Sequence, residues 1–500
     1  MEYILAIDQG TSSTKTLVFD REGKAVAKGH VDLQTNYYDN GFVEQDPEGI
    51  YKNVLDSLTF CIQTYILNGF ELSQIKSCGI SNQRETFLLW DQSGLALSPA
   101  IVWACKRSVS ICQDLVNRGQ DEWISQKTGL KIDPYFSATK LLWLIYNDPE
   151  LKKKVQRGEV YFGTVDCWLL YKLTGGKVYK TDHTNAHRTL LFNIKTLDWD
   201  KEILAEWGLE NLHLPEVCAS SASYGNFQLD LILDLGIGPQ SVLLSLPVTA
   251  LIGDSHAASF GEGCFEQGTA KVTLGTGSSI MMNTGREPIF SGNGMLTTIC
   301  FSSAHGVSYA LEGAIVACGS TIEWLRNELS LFDDLSETSR MASEIPDNAG
   351  VYLIPAFSGL GAPHWQMDRR ASLEGMTFGT TKNHIVRAAL ESIPYQIKDV
   401  IGAMRQDMGA DLHSISVNGG LTKNDFVIRF LVDLLGIPLN KQENPDVSAL
   451  GAAYLAGLES GIFPSLNTIQ KLVAGNSGQI IPNSSNEMVV KGYQGWLEKI

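Results

Sequence analysis

Short apolar runs alternate with longer stretches whose apolar residues recur at helical spacing, the pattern of an α/β chain. Residues 3–7, 16–19 and 25–28 predict an antiparallel meander, with Asp20-Arg21-Glu22-Gly23 as its second turn. A helix is predicted next. Asp46 can cap it, Pro47 takes its first position, Ile50, Val54, Leu58 and Ile62 share a face, and Asn68-Gly69 closes it. Residues 75–80 read as a buried strand that delivers Asn82-Gln83-Arg84-Glu85 at its carboxyl end, where open α/β sheets place ligand groups. Residues 270–274 begin the meander again, which predicts two α/β domains of one plan, 1–262 and 263–500. Within the later helix 384–409, Ile385, Ala389, Ile393, Ile397 and Val400 line one side, and Pro394 is expected to kink or locally unwind it. The Ala- and Gly-rich stretch 447–458 is expected to lie close against another element.

The repeated meander carries a repeated turn. Ile7-Asp8-Gln9-Gly10-Thr11-Ser12-Ser13 and Leu274-Gly275-Thr276-Gly277-Ser278-Ser279 each sit between β-rich runs. One such turn is ordinary hairpin chemistry. Two of them, facing each other across a cleft, could offer backbone N–H groups and hydroxyls to a polyphosphate from both sides. A P-loop is excluded, because Gln9 and Thr14 stand where that motif needs glycines before Lys15-Thr16.

Composition narrows the partners. A chain of 500 residues is too long for one core, and 44 % hydrophobic with 19 % charged residues is ordinary for a globular protein. The formal net charge of −16 argues against nucleic acid or an anionic membrane as partner. An anionic ligand then needs backbone dipoles and a metal ion to hold it. No apolar run reaches the roughly 18 residues that span a bilayer, and no basic segment precedes an apolar one at the N-terminus, so a cytoplasmic protein is expected. Nine cysteines without a Cys-x-x-Cys pair read as buried small hydrophobes.

Longer motifs carry a family resemblance. Tyr135-Phe136-Ser137-Ala138-Thr139-Lys140-Leu141-Leu142-Trp143-Leu144, and the stretch from Ala371-Ser372-Leu373-Glu374-Gly375-Met376 to His384-Ile385-Val386-Arg387-Ala388-Ala389-Leu390-Glu391, fit the two signatures of the FGGY carbohydrate kinases. Asn82-Gln83-Arg84-Glu85-Thr86, Asp133-Pro134-Tyr135-Phe136 and the run 191–200 resemble the glycerol kinase branch of that family. The resemblance implies an actin-like ATPase (ribonuclease H-like) α/β fold of two duplicated domains around a deep cleft. In that fold the first domain binds mainly the polyol or sugar and the second mainly ATP. The implied reaction is ATP- and Mg2+-dependent phosphorylation of a terminal hydroxyl, by an enzyme that is often a homodimer or homotetramer.

Carried over residue by residue, the general base falls on Asp254 and the magnesium-associated carboxylate on Asp8. Alone, Asp254 would read as the cap of a helix starting at Ser255. Arg84 and Glu85 match the pair that binds glycerol hydroxyls, and Trp103 and Tyr135 match an apolar wall and a hydroxyl contact. Thr11, Ser12, Ser13, Lys15, Gly275, Thr276 and Gly277 match the phosphate loops. Gly319, Glu323, Gly420 and Asn424 match the adenosine site.

Departures from the family concern the substrate. Ser255 and Ser279 stand at two glycerol-contacting positions that are usually Gln and Phe, which predicts a wider, more polar pocket and a polyol of four or five carbons beside glycerol itself. Lys15 replaces an Arg, Glu323 a Gln, and Asn418 an Asp. The Lys- and Arg-free stretch 219–247 lacks the Arg-containing loop through which some relatives bind a sugar bisphosphate. The other readings are a pentulose kinase, such as one acting on xylulose, and a non-metabolic actin-like ATPase that binds protein. His183 and His187, four apart, lack the Glu and third ligand of a zinc site.

Overall fold

The predicted meander forms from β1 (Tyr3–Gln9), β2 (Ser13–Phe19) and β3 (Ala25–Asp32), with strands longer than their apolar runs. Helix α1 (Pro47–Leu67) follows, capped by Asp46, whose carboxylate accepts from Gly49 N at 3.0 Å. Its predicted face is buried: Ile50, Val54, Leu58 and Ile62 are each 0 % exposed, and full burial stabilises each by roughly 1.5–3 kcal/mol. The chain then returns as β4 (Ile75–Asn82), parallel to β1. The long hairpin of β5 (Asn226–Asp234) and β6 (Pro239–Gly253) completes a six-stranded sheet of order β5-β6-β4-β1-β2-β3. Helix α2 (Asp254–Gly261) leaves from the end of β6.

The computed structural model describes residues 1–236, 238–366, 368–483 and 487–500. It resolves two compact units. The first takes in residues 1–263 and, beyond the expected boundary, 298–309 and 446–474. The second takes in 264–297, 310–445 and 475–500.

A second sheet, whose strands belong to the second unit except where two of them include residues 298–309, repeats the plan with a change. Strands β7 (Thr269–Leu274) and β8 (Ser278–Gly285) form the repeated antiparallel hairpin, followed by β9 (Leu296–Ser303) and β10 (Gly306–Ile315). Helices α3 (Gly319–Asn327) and α4 (Lys382–Met408) lead to β11 (Ser414–Asn418). Beyond it come α5 (Asp425–Leu435), β12 (Leu439–Gln442) and β13 (Ser477–Ile480). The sheet order is β9-β10-β8-β7-β11-β12-β13. In the first unit the third strand of the chain borders the hairpin, whereas here β10 does, with β9 outside it. Helix α4 runs without interruption through Pro394, so no local unwinding occurs, and it ends at Gly409, which adopts φ +64°. Eight of the nine cysteines are buried. Among the described residues no helix is long and apolar enough to cross a membrane.

The Ala- and Gly-rich helix Val447–Glu459 packs on the first sheet and on α2. A Cβ on Gly451 would lie 1.8 Å from the Ala257 carbonyl oxygen, and one on Gly79 of β4 would lie 2.2 Å from that of Ala452. Backbone, not a yielding side chain, occupies both places. Gly451→Ala is therefore expected to destabilise the protein by more than the overpacking of about 1–3 kcal/mol seen where side chains can shift, read as a lowered midpoint of thermal unfolding. A midpoint equal to wild type in a thermal melt would contradict this packing.

Candidate active site

Strands β4 and β6 are parallel neighbours, and the register Gly253↔Asn82 makes them end side by side. The residues that follow each strand therefore converge. Arg84, after β4, places Nε 3.4 Å from Oδ1 of Asp254, the first residue of α2. Arg84 also donates from Nη2 to the Tyr135 hydroxyl at 3.4 Å. The Tyr135 ring meets Trp103 edge to face with centroids 5.7 Å apart. Gly253, not Asp254, stands at the helix cap, so the Asp254 carboxylate lies within the first turn. It accepts from Ser255 N at 2.6 Å and stays 39 % exposed beside an Arg84 that is 7 % exposed. A fixed guanidinium, an accessible carboxylate and a phenol on one side of a site suit a ligand whose handles are hydroxyl groups.

Glu85 is held differently. It is 1 % exposed and adopts φ +59°, a left-handed backbone that costs a non-glycine residue about 1–3 kcal/mol and persists only where its surroundings enforce it. Two contacts enforce it here. Ser137 Oγ donates to the Glu85 carbonyl at 2.8 Å, and Arg188 Nε donates to Oε1 at 2.5 Å. Arg188, 0 % exposed, also stacks its guanidinium on Phe136 and Tyr135 at 5.0 and 5.6 Å from the ring centroids.

Asp8, near the end of β1, pairs in register with Lys15 of β2 and Ser81 of β4. Burial pushes its carboxyl up to about 6, the Asp254 carboxylate adds to the rise, and Lys15 opposes it. The Lys15 ammonium lies 3.0 Å from Asp446 Oδ1, and Lys28 holds the other oxygen at 2.6 Å. In the first Gly-Thr turn Gly10 N donates to Ser13 O at 2.9 Å, leaving Ser12 exposed and Thr11 and Ser13 half-buried.

In the second unit, Gly275 N donates to Gly277 O at 3.0 Å, and the turn docks on the start of α3. Gly319 N donates to Gly275 O at 2.9 Å, and Cys318 N and Ser320 N donate to Thr276 O at 3.0 and 3.1 Å. A Cβ on Gly319 would lie 2.6 Å from Gly275 O, which is why that approach needs glycine. Thr276 is exposed at the tip, and Glu323 is exposed one turn along α3. Asn418 pairs with Thr273, which brings Gly420 beside the same strand ends. Asn424 is turned inward: its amide caps α5 at Val427 N, 3.1 Å, and donates to Thr338 Oγ1 at 2.9 Å. Ser279 Oγ accepts from the buried Lys271 ammonium at 3.3 Å, which also donates to Thr273 Oγ1 at 3.0 Å.

Each unit thus assembles its own group of sequence-predicted residues. The histidines are taken up by neighbours: His183 Nδ1 lies 2.9 Å from Ser302 Oγ, and His187 Nε2 donates to Thr128 O at 2.7 Å. No cluster of metal-binding side chains occurs among the described residues. Sequence reasoning missed Arg188, Asp446, Lys271 and Lys140. The Lys140 ammonium, fully buried, donates to the carbonyls of Pro134, Tyr135 and Phe136 at 2.5, 2.8 and 3.0 Å, while burial pulls its pKa down to about 7. A single cation within an apolar run, as at Arg188-Thr189-Leu190-Leu191-Phe192, was the available signal.

Comparison with known proteins places this geometry. The FGGY family of carbohydrate kinases matches through its N-terminal domain over residues 3–261 and its C-terminal domain over 270–460. The chain belongs to the FGGY family of carbohydrate kinases. It is 42 % identical to a glycerol kinase of Halothermothrix orenii over 500 residues, covering 100 % of this chain and 98 % of that one. It is 43 % identical to a glycerol kinase of Carboxydothermus hydrogenoformans, covering 100 % and 97 %. A crystal structure of Plasmodium falciparum glycerol kinase with ADP superposes with a TM-score of 0.90 at 34 % identity, covering 100 % of this chain and 97 % of that one. The chain therefore has the actin-like, ribonuclease H-like two-domain architecture of FGGY kinases and is a phosphotransferase with an alcohol acceptor.

Proposed function

We propose that this FGGY kinase transfers the γ-phosphoryl group of ATP to a terminal hydroxyl of glycerol or of a related polyol of up to five carbons. The observation that carries the reading is the convergence of Arg84, Asp254 and Tyr135 after β4 and β6, in a chain whose full-length relatives are glycerol kinases. Asp254 accepts the proton of the attacking hydroxyl as the oxygen moves onto phosphorus, the role a carboxylate plays in phosphoryl transfer. Arg84, Glu85 and Tyr135 orient the polyol, and Trp103 forms its apolar wall. The first unit binds mainly the polyol. The second binds mainly the nucleotide, through Gly275, Thr276, Gly277, Gly319, Glu323, Gly420 and Asn424. Thr11, Ser12, Ser13 and Lys15 serve the phosphates.

Asp8 fits a magnesium role. Its carboxyl is raised by burial and by a second carboxylate, both of which a divalent cation would relieve. Magnesium supplies neutralisation of phosphate charge when bound. The location we infer is cytoplasmic, and the assembly a homodimer or homotetramer.

ADP release measured with ATP, magnesium and, in turn, glycerol, erythritol, threitol, xylitol, ribitol, xylulose and ribulose tests the reading. We expect turnover with polyols. The highest kcat/KM on glycerol would mean that Ser255 and Ser279 are tolerated at its site. A highest value on a longer polyol would mean that these hydroxyls recognise the added ones. No stimulation by any of the seven would overturn the proposal.

A further inference from the structure

A closed ring of hydrogen bonds joins the polyol side of the first unit to its Gly-Thr turn. The Trp103 indole Nε1 donates to Thr11 Oγ1 at 2.9 Å, and the Thr11 hydroxyl donates to Gln83 Oε1 at 3.4 Å. The same oxygen accepts from Thr86 Oγ1 at 2.9 Å, and Thr86 Oγ1 in turn accepts from the backbone N of Trp103 at 3.2 Å. The circuit leaves Trp103 by its main chain and returns by its side chain.

Every other capacity of the central amide is used. Gln83 Nε2 donates to Gln45 Oε1 at 2.8 Å and to Gln9 Oε1 at 3.2 Å. Gln45 Nε2 then donates to the Thr11 carbonyl at 2.7 Å, so Thr11 is tied at both its hydroxyl and its backbone. Gln83 is 1 % exposed and Thr86 0 %, whereas Trp103 is 37 % exposed. The indole is therefore the one member of the ring that can turn away, with water as its alternative acceptor. Because it fills the acceptor side of Thr11 Oγ1, it also aims the Thr11 hydroxyl hydrogen at Gln83.

We propose that Trp103 is a positioning residue that couples polyol binding to nucleotide binding: a polyol seated on the indole holds its N–H on Thr11 and fixes the turn that receives phosphate. The inference rests on the kinase reading above, with Trp103 as the polyol wall and residues 11–13 as a phosphate turn. Such coupling is reciprocal, so each ligand tightens the other by one factor.

The test is calorimetric titration of a non-hydrolysable ATP analogue with magnesium, without polyol and with a saturating level of whichever of glycerol, erythritol or xylitol the wild type turns over fastest. We expect the polyol to tighten the analogue in wild type by about 5–150-fold, the usual span of such couplings. In Trp103→Phe, which keeps an aromatic wall and removes the N–H, the factor is expected to fall towards one. Thr11→Val, which removes the acceptor, should act alike, and the double variant should add nothing, as partners in one interaction behave. The ratio separates coupling from general damage, because a loosened pocket weakens both titrations and leaves their ratio standing. A wild-type factor of one, or a wild-type factor retained in both variants, would overturn the link while leaving the kinase reading in place. Failure of every polyol to be phosphorylated by wild type would overturn both.

Discussion

Asp254→Asn is expected to lower kcat by about 10²–10⁴-fold, the usual contribution of a positioned general base, while the protein stays folded. The amide is the same size as the carboxylate, and its oxygen can still accept from Ser255 N, so the start of α2 is kept. What it loses is the capacity to take a proton. The nearby Arg84 also loses its anionic partner at 3.4 Å, so the KM for polyol should rise as well. The KM for ATP should move least. Steady-state kinetics with the preferred polyol check this, alongside a thermal melt. An unchanged kcat in a folded variant would remove Asp254 from the proton-accepting role and leave it as an anchor for Arg84. If ATP turnover were also indifferent to polyol, a protein-binding ATPase would become the better reading.

Local chemistry made much of the first unit readable. Asp46, Pro47 and the apolar face of α1 act through contacts within one helix and its cap, so their pattern survives in the sequence. The end of β4 was readable for a similar reason, since a buried run followed by polar residues marks a strand that stops at a site. The order of β9 and β10 was not readable. It depends on which strand borders β8, and neither apolar pattern differs enough to decide that. Pro394 does not unwind α4, because burial there outweighs the hydrogen bond it removes: its neighbours Ile393, Tyr395 and Ile397 are all buried. At the site, Arg84 and Glu85 looked like one pair because they are adjacent in sequence. The left-handed backbone at Glu85 sends the two side chains to different partners, Asp254 and Arg188, and Arg188 lies 103 positions further along the chain. No local pattern carries a contact of that separation. Asp446 escaped notice for the same reason, since its lysines lie more than 400 residues before it.

The Glu85–Arg188 contact leads to the second large expectation. Arg188→Met is expected to destabilise the protein by about 3–5 kcal/mol, because it keeps an apolar stem but leaves the Glu85 carboxylate buried without its guanidinium. Glu85 is 1 % exposed and Arg188 0 %, so water cannot replace the lost partner without opening the site. The double variant Glu85→Gln with Arg188→Met should recover part of that stability, since the buried Glu85 carboxylate is then removed together with its partner. It should not recover full activity, because the charged acceptor that Glu85 offers to a polyol hydroxyl is replaced by the weaker, neutral amide oxygen. Chemical denaturation of the three proteins, read together with turnover on the preferred polyol, separates these effects. Should Arg188→Met be as stable as wild type, the pair is not what holds Glu85 in its left-handed conformation. The Ser137 contact to the Glu85 carbonyl would then have to carry that strain alone.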